Sequence, residues 1–320
     1  MIHIYLKNLI KYMKQEKFIS VFFRFICLMI SIRNYYIDTI IYTFIRVSNN
    51  KYSKIRVNNS FLNISFDDKG LSKDLLIHKK REKFSTDFLK LIIQKNEIII
   101  DIGANIGYYA LLESQLASNG KVFAMEPVPE SFSLLDKNIK LNECKNIDAY
   151  KMAISDISGK SKMYVYDKRN RCSFIKDPSG NIINEVEVPI MTLDQFVESH
   201  VNQYPTLIRM DLEGYEFQVI KGAHNILNNN RPLKLVIELH PQLMSIERMM
   251  YILDTLKQAN FKIEEIINDP EASDYRSINT LNSLFRKIGI PLYGYSGKGY
   301  ETLDLFLKNG LASNVFFKRD

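Results

Sequence analysis

The chain contains no tryptophan and only three cysteines, Cys27, Cys144 and Cys172, none in a C-x-x-C pair. That excludes a disulfide framework and the usual zinc-site spacings, and it points to a reducing, cytoplasmic compartment. A run of about 20 apolar residues, the length of a spanning helix, is also missing. Phe18–Ile32, FISVFFRFICLMISI, is interrupted by Arg24, and the next apolar run, Tyr35–Ile45, contains Asp38. No clear small-residue cleavage site follows, as a signal peptide would require. Blocks of arginine interleaved with aromatics are absent too. The formal net charge of +7 accompanies an abundance of Lys, Ile, Asn and Tyr that matches an AT-rich genome. The charge therefore does not argue for a nucleic-acid partner, and none is expected.

What is present is globular composition: 46% hydrophobic and 25% charged over 320 residues. That length allows one large domain with an extension, or two domains. Residues 1–50 stand apart. They read as helices packed on the core or on a second copy, or as a helix lying on a membrane surface. In the second case Lys7, Lys11, Lys14, Lys17, Arg24 and Arg33 would sit near lipid phosphates. The expected division is a helical extension over 1–50 and a catalytic domain over 51–320. A homo-oligomer and peripheral membrane contact through 1–50 both stay open.

The most informative stretch is 96–127, NEIIIDIGANIGYYALLESQLASNGKVFAMEP. It reads strand, tight turn, helix, strand. Glu97–Ile100 is a short apolar run of the kind buried in a parallel sheet. Gly103 and Gly107 let the backbone approach a ligand, and the following helix offers free N–H groups there. Lys121–Met125 is the second strand, and it ends on Glu126, where a carboxylate can accept both hydroxyls of a ribose. A dinucleotide fingerprint needs a glycine where Asn105 stands. Asp101, at the end of the first strand, repels phosphates and suits an ammonium group. S-adenosyl-L-methionine, with an amino-acid tail, a sulfonium and no phosphate, fits both features. Asp101, Gly103, Ala104, Asn105, Gly107 and Glu126 are its candidate contacts.

D-x-G-A-N-x-G followed by Glu126-Pro127 resembles the first two motifs of class I methyltransferases, and more closely those of the FkbM family of O-methyltransferases. Two later segments carry the same resemblance. Asp211-Leu-Glu-Gly-Tyr-Glu216 is similar to the family's K-I-D-V-E-G-x-E, with Arg209 where Lys is usual. Glu238-Leu-His240-Pro241 is similar to its I-E-x-H. Thr192-Leu193-Asp194 matches the T-L-D signature, and Glu82 stands where the family often has an acid. The resemblance covers roughly 80–320. It implies a Rossmann-like α/β fold: a seven-stranded, mostly parallel sheet with an antiparallel last strand. It also implies a hydroxyl acceptor on a sugar, glycan or secondary metabolite.

The remaining pattern supplies the other elements. A hairpin turns at Asn58-Asn59. Helical spacing covers 81–94, with Ser85 as candidate cap. A helix follows over 130–141, then a third strand over 148–154. Asp156 lies where such folds hold adenine, or is a turn residue. Two strands, 161–166 and 185–190, bracket a polar insertion with Lys168, Arg169 and Arg171, a candidate rim for an acidic substrate or a solvated loop. Beyond them come a helix over 194–200, a fourth strand over 206–210, a helix over 215–227, a fifth strand over 235–239, a helix over 245–258, a sixth strand over 261–267 and a last, antiparallel strand over 314–318.

Methyl transfer to a hydroxyl needs alignment and removal of a proton. Asp211, Glu213, Glu238 and His240 come from the ends of the fourth and fifth strands, beside the donor site at the sheet's switch point. His240 is the candidate base. Asp211 and Glu213 are candidates to orient the substrate, and Asp211 also to contact the cofactor. Two carboxylates and a histidine can ligate a metal, but none is assigned. An N-methyltransferase, or a binding module without turnover, remains the alternative; a dehydrogenase is disfavoured by Asn105.

Overall fold

The structure is a computed structural model, and it describes residues 18–47, 51–68, 70–166, 174, 182–269, 296–300, 303 and 313–320. A long helix, α1 (Phe18–Val47), leads into the hairpin of β1 (Tyr52–Val57) and β2 (Ser60–Ser65). Asn58 and Asn59 both take the left-handed conformation, φ 49° and 64°, which a two-residue hairpin turn requires. Two helices follow, α2 (Leu71–His78) and α3 (Lys83–Ile92). The Ser85 side chain does not cap α3. The carboxylate of Asp269 does, accepting from the N–H groups of Phe84 (2.8 Å) and Ser85 (3.0 Å) and from the Ser85 hydroxyl. A cap from so far along the chain leaves no local signal.

The sheet then assembles around β3 (Ile98–Ile102), all five residues of which are buried. Chain order continues with α4 (Tyr108–Leu116), β4 (Lys121–Met125), α5 (Pro129–Leu141), β5 (Ile147–Tyr150), β6 (Ala153–Ser155), β7 (Gly159–Tyr166) and β8 (Ile182–Thr192). It closes with α6 (Leu193–His200), β9 (Leu207–Met210), α7 (Glu216–Lys221), α8 (His224–Asn228), β10 (Leu233–Leu239), α9 (Ile246–Gln258), β11 (Lys262–Ile267), β12 (Ser296–Gly297) and β13 (Ser313–Arg319). Seven strands lie in the order β11-β13-β10-β9-β3-β4-β5, with the two-residue β12 beside β11. Strands β5, β4, β3, β9 and β10 are parallel neighbours, and β13 runs antiparallel between β10 and β11. This is the class I methyltransferase arrangement expected from the sequence.

Strand alternation decides which layer each side chain joins. Ile98, Ile100 and Ile102 face the layer of α6 to α9, with Phe196, Ile220, Ile252 and Leu256. Ile99, Val122 and Ala124 face the opposite layer, where α4, α5, the hairpin and Tyr42 of α1 pack. Each fully buried Leu or Ile contributes about 1.5–3 kcal/mol, so the central strands anchor the domain.

Two elements differ from expectation. The third strand divides: β5 joins the main sheet, while β6 pairs with β8 in a second sheet of order β6-β8-β7. The helix expected over 215–227 is two helices, broken at Gly222. A Cβ there would lie 2.1 Å from the Ser155 carbonyl oxygen, so the chain passes β6 too closely for any side chain. Thr192 caps α6 by accepting from the Gln195 N–H. Asp194 caps α8, accepting from the N–H groups of Asn225 (2.8 Å) and Ile226 (2.9 Å). The antiparallel pairing of β7 with β8 forms the inserted hairpin. Its polar tip, including Lys168, Arg169 and Arg171, lies outside the described residues.

Candidate active site

The carboxyl ends of β3, β4 and β9 open into one pocket, with about 800 Å³ of empty space including the open solvent at its mouth. The turn after β3 forms its floor. Gly103 (φ 89°) and Asn105 (φ 50°) are left-handed, and the N–H groups of Gly103 and Ala104 both donate to the Met125 carbonyl. A Cβ on Gly103 would lie 2.2 Å from the Asp211 carbonyl oxygen. Glycine is needed there for β3 and β9 to meet, as well as for a ligand to approach.

Glu126 lines the pocket. Its carboxylate accepts from the N–H groups of Asn105 (2.9 Å) and Val128 (2.8 Å). A carboxylate has about four acceptor positions, so room remains for two ribose hydroxyls. Burial raises the Glu126 carboxyl to about 7, partly offset by those two N–H groups. Beside it Met152, Ala153, Ile154, Met163 and Phe174 make an apolar wall suited to a flat aromatic base. Phe174 packs against Tyr215 with ring centroids 4.6 Å apart. These residues fit S-adenosylmethionine, the methyl donor the family implies: a diol acceptor, an apolar slot and carboxylates for the cationic end.

Of the residues named from sequence, Gly103, Asn105, Glu126, Asp211 and Glu213 line the pocket. Ala104 and Gly107 shape the turn behind it. Asp156 is placed away from the pocket wall and pairs with Lys221 at 2.8 Å. Asp101 also lies behind the wall. It is fully buried and paired with Arg209 at 3.2 Å. Arg209 further bonds Asp211 at 2.9 Å and covers the Tyr109 ring at 3.8 Å. Burial raises the Asp101 carboxyl despite Arg209. Burial would raise Asp211 too, but Arg209 and Arg81 outweigh it and hold that carboxyl at about 2.

A second group converges at the ends of β9 and β10. His240 Nε2 lies 3.3 Å from Glu238 and 3.8 Å from Glu213, and Nδ1 lies 3.9 Å from Glu216. Burial alone would lower the imidazole pKa; Glu238, Glu213 and Glu216 reverse that and hold it well above the usual histidine range. Burial, with Asp211 and Glu82 close by, raises Glu238 to about 8. Glu213 (φ 50°) is left-handed before Gly214. Glu216 fixes this turn by accepting from the N–H groups of Leu212 (3.0 Å) and Gly214 (3.4 Å).

Sequence reasoning did not single out Arg81, Tyr109, Glu113 or Tyr215. Arg81 lines the pocket, pairs with Glu82 and reaches Asp211 at 4.0 Å. Glu82 in turn accepts from the Tyr109 hydroxyl at 2.7 Å. Glu113 is fully buried, and burial beside Asp101 raises its carboxyl well above the usual range. The one available signal for Glu113 was an acidic residue directly after the apolar run YYALL in α4.

Among the described residues, two ligand sets have atoms within 4.8 Å of one another: Asp211, Glu213 and His240, and Glu82, Asp211 and Glu238. Asp211 belongs to both and is already held by guanidinium groups, and a metal would have to displace the proton from His240.

The strand order and the pocket at the carboxyl ends of the strands are those of the class I methyltransferase fold. The model of the Methyltransferase FkbM domain matches residues 101–263, and the chain belongs to that family. Among curated proteins, "Hexuronic acid methyltransferase AglP" of Haloferax volcanii is 27% identical over 164 residues, covering 48% of this chain and 62% of that protein. "Methyltransferase 1" of Beauveria bassiana is 25% identical over 145 residues, covering 40% and 58%. "Methyltransferase sdnD" of Sordaria araneosa is 25% identical over 163 residues, covering 41% and 62%. The matches thus span about three fifths of these relatives' lengths. Among solved structures, M. jannaschii TYW2 in complex with AdoMet aligns over 84% of this chain and 86% of its own, at 11% identity and a TM-score of 0.45.

Proposed function

We propose that this chain is an S-adenosylmethionine-dependent O-methyltransferase acting on a hydroxyl of a sugar, glycan or secondary metabolite. The observation that carries this reading is one pocket lined by a ribose acceptor, Glu126, and by Asp211 and Glu213, with His240 and Glu238 outside the lining but adjoining Glu213, 3.8 Å from His240. The cofactor supplies an electrophilic methyl group on a sulfonium. Glu126 orients its ribose, and the wall of Met152, Ile154 and Met163 excludes water from its base. Asp211, ionised at neutral pH, stands at the pocket edge where a cationic centre is stabilised.

A hydroxyl must lose its proton as the methyl arrives. His240, aligned by Glu238, is the proposed base, and Glu213 lies between it and the pocket. The surrounding carboxylates make the imidazole a stronger base but keep it protonated to higher pH, so turnover should favour alkaline conditions. A sugar acceptor is supported by the family and by the hexuronic acid methyltransferase among its relatives.

The test is transfer of labelled methyl from S-adenosylmethionine to panels of uronic acids, neutral glycans, hydroxylated metabolites and amines. Labelling of a hydroxyl acceptor, lost in His240→Ala, is expected. Labelling of amines alone would replace the reading with N-methylation. Tight cofactor binding without transfer to any class would favour a binding module.

A further inference from the structure

Helix α1 is amphipathic in the inverse sense. Residues 34, 38, 42 and 45 fall on one face at helical spacing, and that face is turned to the protein. It carries Asn34 and Asp38, both almost fully buried. Asp38 Oδ2 lies 2.8 Å from His78 Nε2, and the Tyr42 hydroxyl donates to the carbonyls of Phe66 (2.8 Å) and Asp68 (3.2 Å). The opposite face is apolar and open. Met29, Tyr36, Ile40 and Val47 are 51%, 58%, 68% and 83% exposed, with Ile37 and Ile41 beside them. A helix on a globular protein ordinarily does the reverse. A contiguous exposed apolar stripe of this kind marks a surface that something covers.

The charges around the stripe select what covers it. Arg33 and Arg46 are exposed on the helix and Lys51 just after it. Lys73 Nζ lies 4.4 Å from the centre of the Tyr35 ring. Asp38 is buried, and Asp67 is paired with both Arg46 and Lys51. Over residues 1–51 the sequence has eight Lys and Arg against Glu16 and Asp38. A second copy would oppose one basic rim with another, whereas an anionic surface neutralises it. No helix among the described residues is long and apolar enough to cross a membrane.

We propose that α1 docks this protein on the surface of an anionic lipid bilayer. Tyr36, Ile40 and Val47 enter the boundary between headgroups and acyl chains, while Arg33, Arg46 and Lys51 meet lipid phosphates.

Flotation of the full chain with vesicles of phosphatidylcholine, alone or mixed with phosphatidylglycerol, tests this. The wild type should float with the anionic vesicles at least about ten-fold more than with the neutral ones, and raised salt should weaken the binding. Ile40→Glu with Val47→Glu should abolish flotation while leaving far-UV circular dichroism and the thermal midpoint unchanged, because both side chains are exposed. Arg33→Gln with Lys51→Gln should remove the preference for anionic lipid. Three results would each overturn the proposal. No flotation of the wild type with either vesicle would remove the lipid surface; equal flotation of the wild type and the Ile40/Val47 variant would place contact elsewhere; a wild-type dimer that this variant converts to monomer, without vesicle binding, would make the covering partner a second copy.

Discussion

Asp101 and Arg209 stand opposite each other on the neighbouring parallel strands β3 and β9, with the guanidinium 3.2 Å from the carboxylate. The ion pair is buried, and Arg209 extends it to Asp211 and the Tyr109 ring. The sequence reading assigned Asp101 to a ligand ammonium. The structure gives its carboxylate a partner inside the protein and leaves Asp211 and Glu213 at the pocket wall.

Removing that partner should be costly. Arg209→Ala strands the buried Asp101 carboxylate and leaves the partly buried Asp211 with Arg81 alone, and breaking a buried pair typically costs about 3–5 kcal/mol. Chemical denaturation should show a loss of this size. Arg209→Lys keeps the charge but cannot span both carboxylates with a planar fork, so a smaller loss is expected. Stability equal to wild type in Arg209→Ala would mean that the pair contributes nothing.

Glu126 should make cofactor binding pH-dependent. Its carboxyl titrates at about 7, and the ionised form is the better acceptor for ribose hydroxyls. Calorimetric affinity for S-adenosylmethionine should therefore rise as pH passes upward through that value. Glu126→Gln should bind more weakly and lose this dependence. An equally steep profile in the variant would assign it to another group.

The base proposal predicts a displaced pH–rate limb. Because Glu238, Glu213 and Glu216 hold the proton on His240, kcat should rise with pH above the ordinary histidine range. His240→Ala should lower kcat by about 100-fold or more and remove the limb, with cofactor affinity nearly unchanged. Full activity with an intact profile would transfer the role to a carboxylate or to the substrate.

Fold stability should respond to the same cluster. Glu126, Glu216 and Glu238 have folded-state values of about 7, 7 and 8 against 4.5 ordinarily. The folded state therefore binds more protons than the unfolded state over that interval, and the stability these groups supply is lost as pH rises through 7 to 8. Asp211 acts oppositely. Held at about 2 against 3.8, it supplies stability above 3.8 that is lost as pH falls toward 2. Denaturation midpoints measured across this span should decline on the alkaline side, and Glu238→Gln should flatten that decline.

Gly222 is a packing prediction. Gly222→Ala would place a methyl 2.1 Å from the Ser155 carbonyl, forcing α7 away from β6. A lower thermal midpoint is expected, and Tyr215, whose hydroxyl lies 2.9 Å from Ser155 Oγ, should shift with it. An unchanged midpoint would show that the junction yields freely.

The sequence by itself determined the sheet, because its signals are local. The apolar run of β3, the turn at Gly103 to Gly107 and Glu126 at the end of β4 all lie within one short stretch. Strands ending in D-L-E-G and E-L-H place Asp211, Glu213, Glu238 and His240 at one edge by topology alone. What tertiary structure decided are the partners that chain separation hides. Arg209 lies 108 residues from Asp101, and Asp269 caps α3 from 184 residues beyond Ser85. Burial decided which carboxyls keep their protons, since desolvation depends on the whole packed environment. The outward face of α1 was equally hidden: its sequence shows a mixture of apolar and polar residues, and only contact with His78, Phe66 and Asp68 turns the polar ones inward.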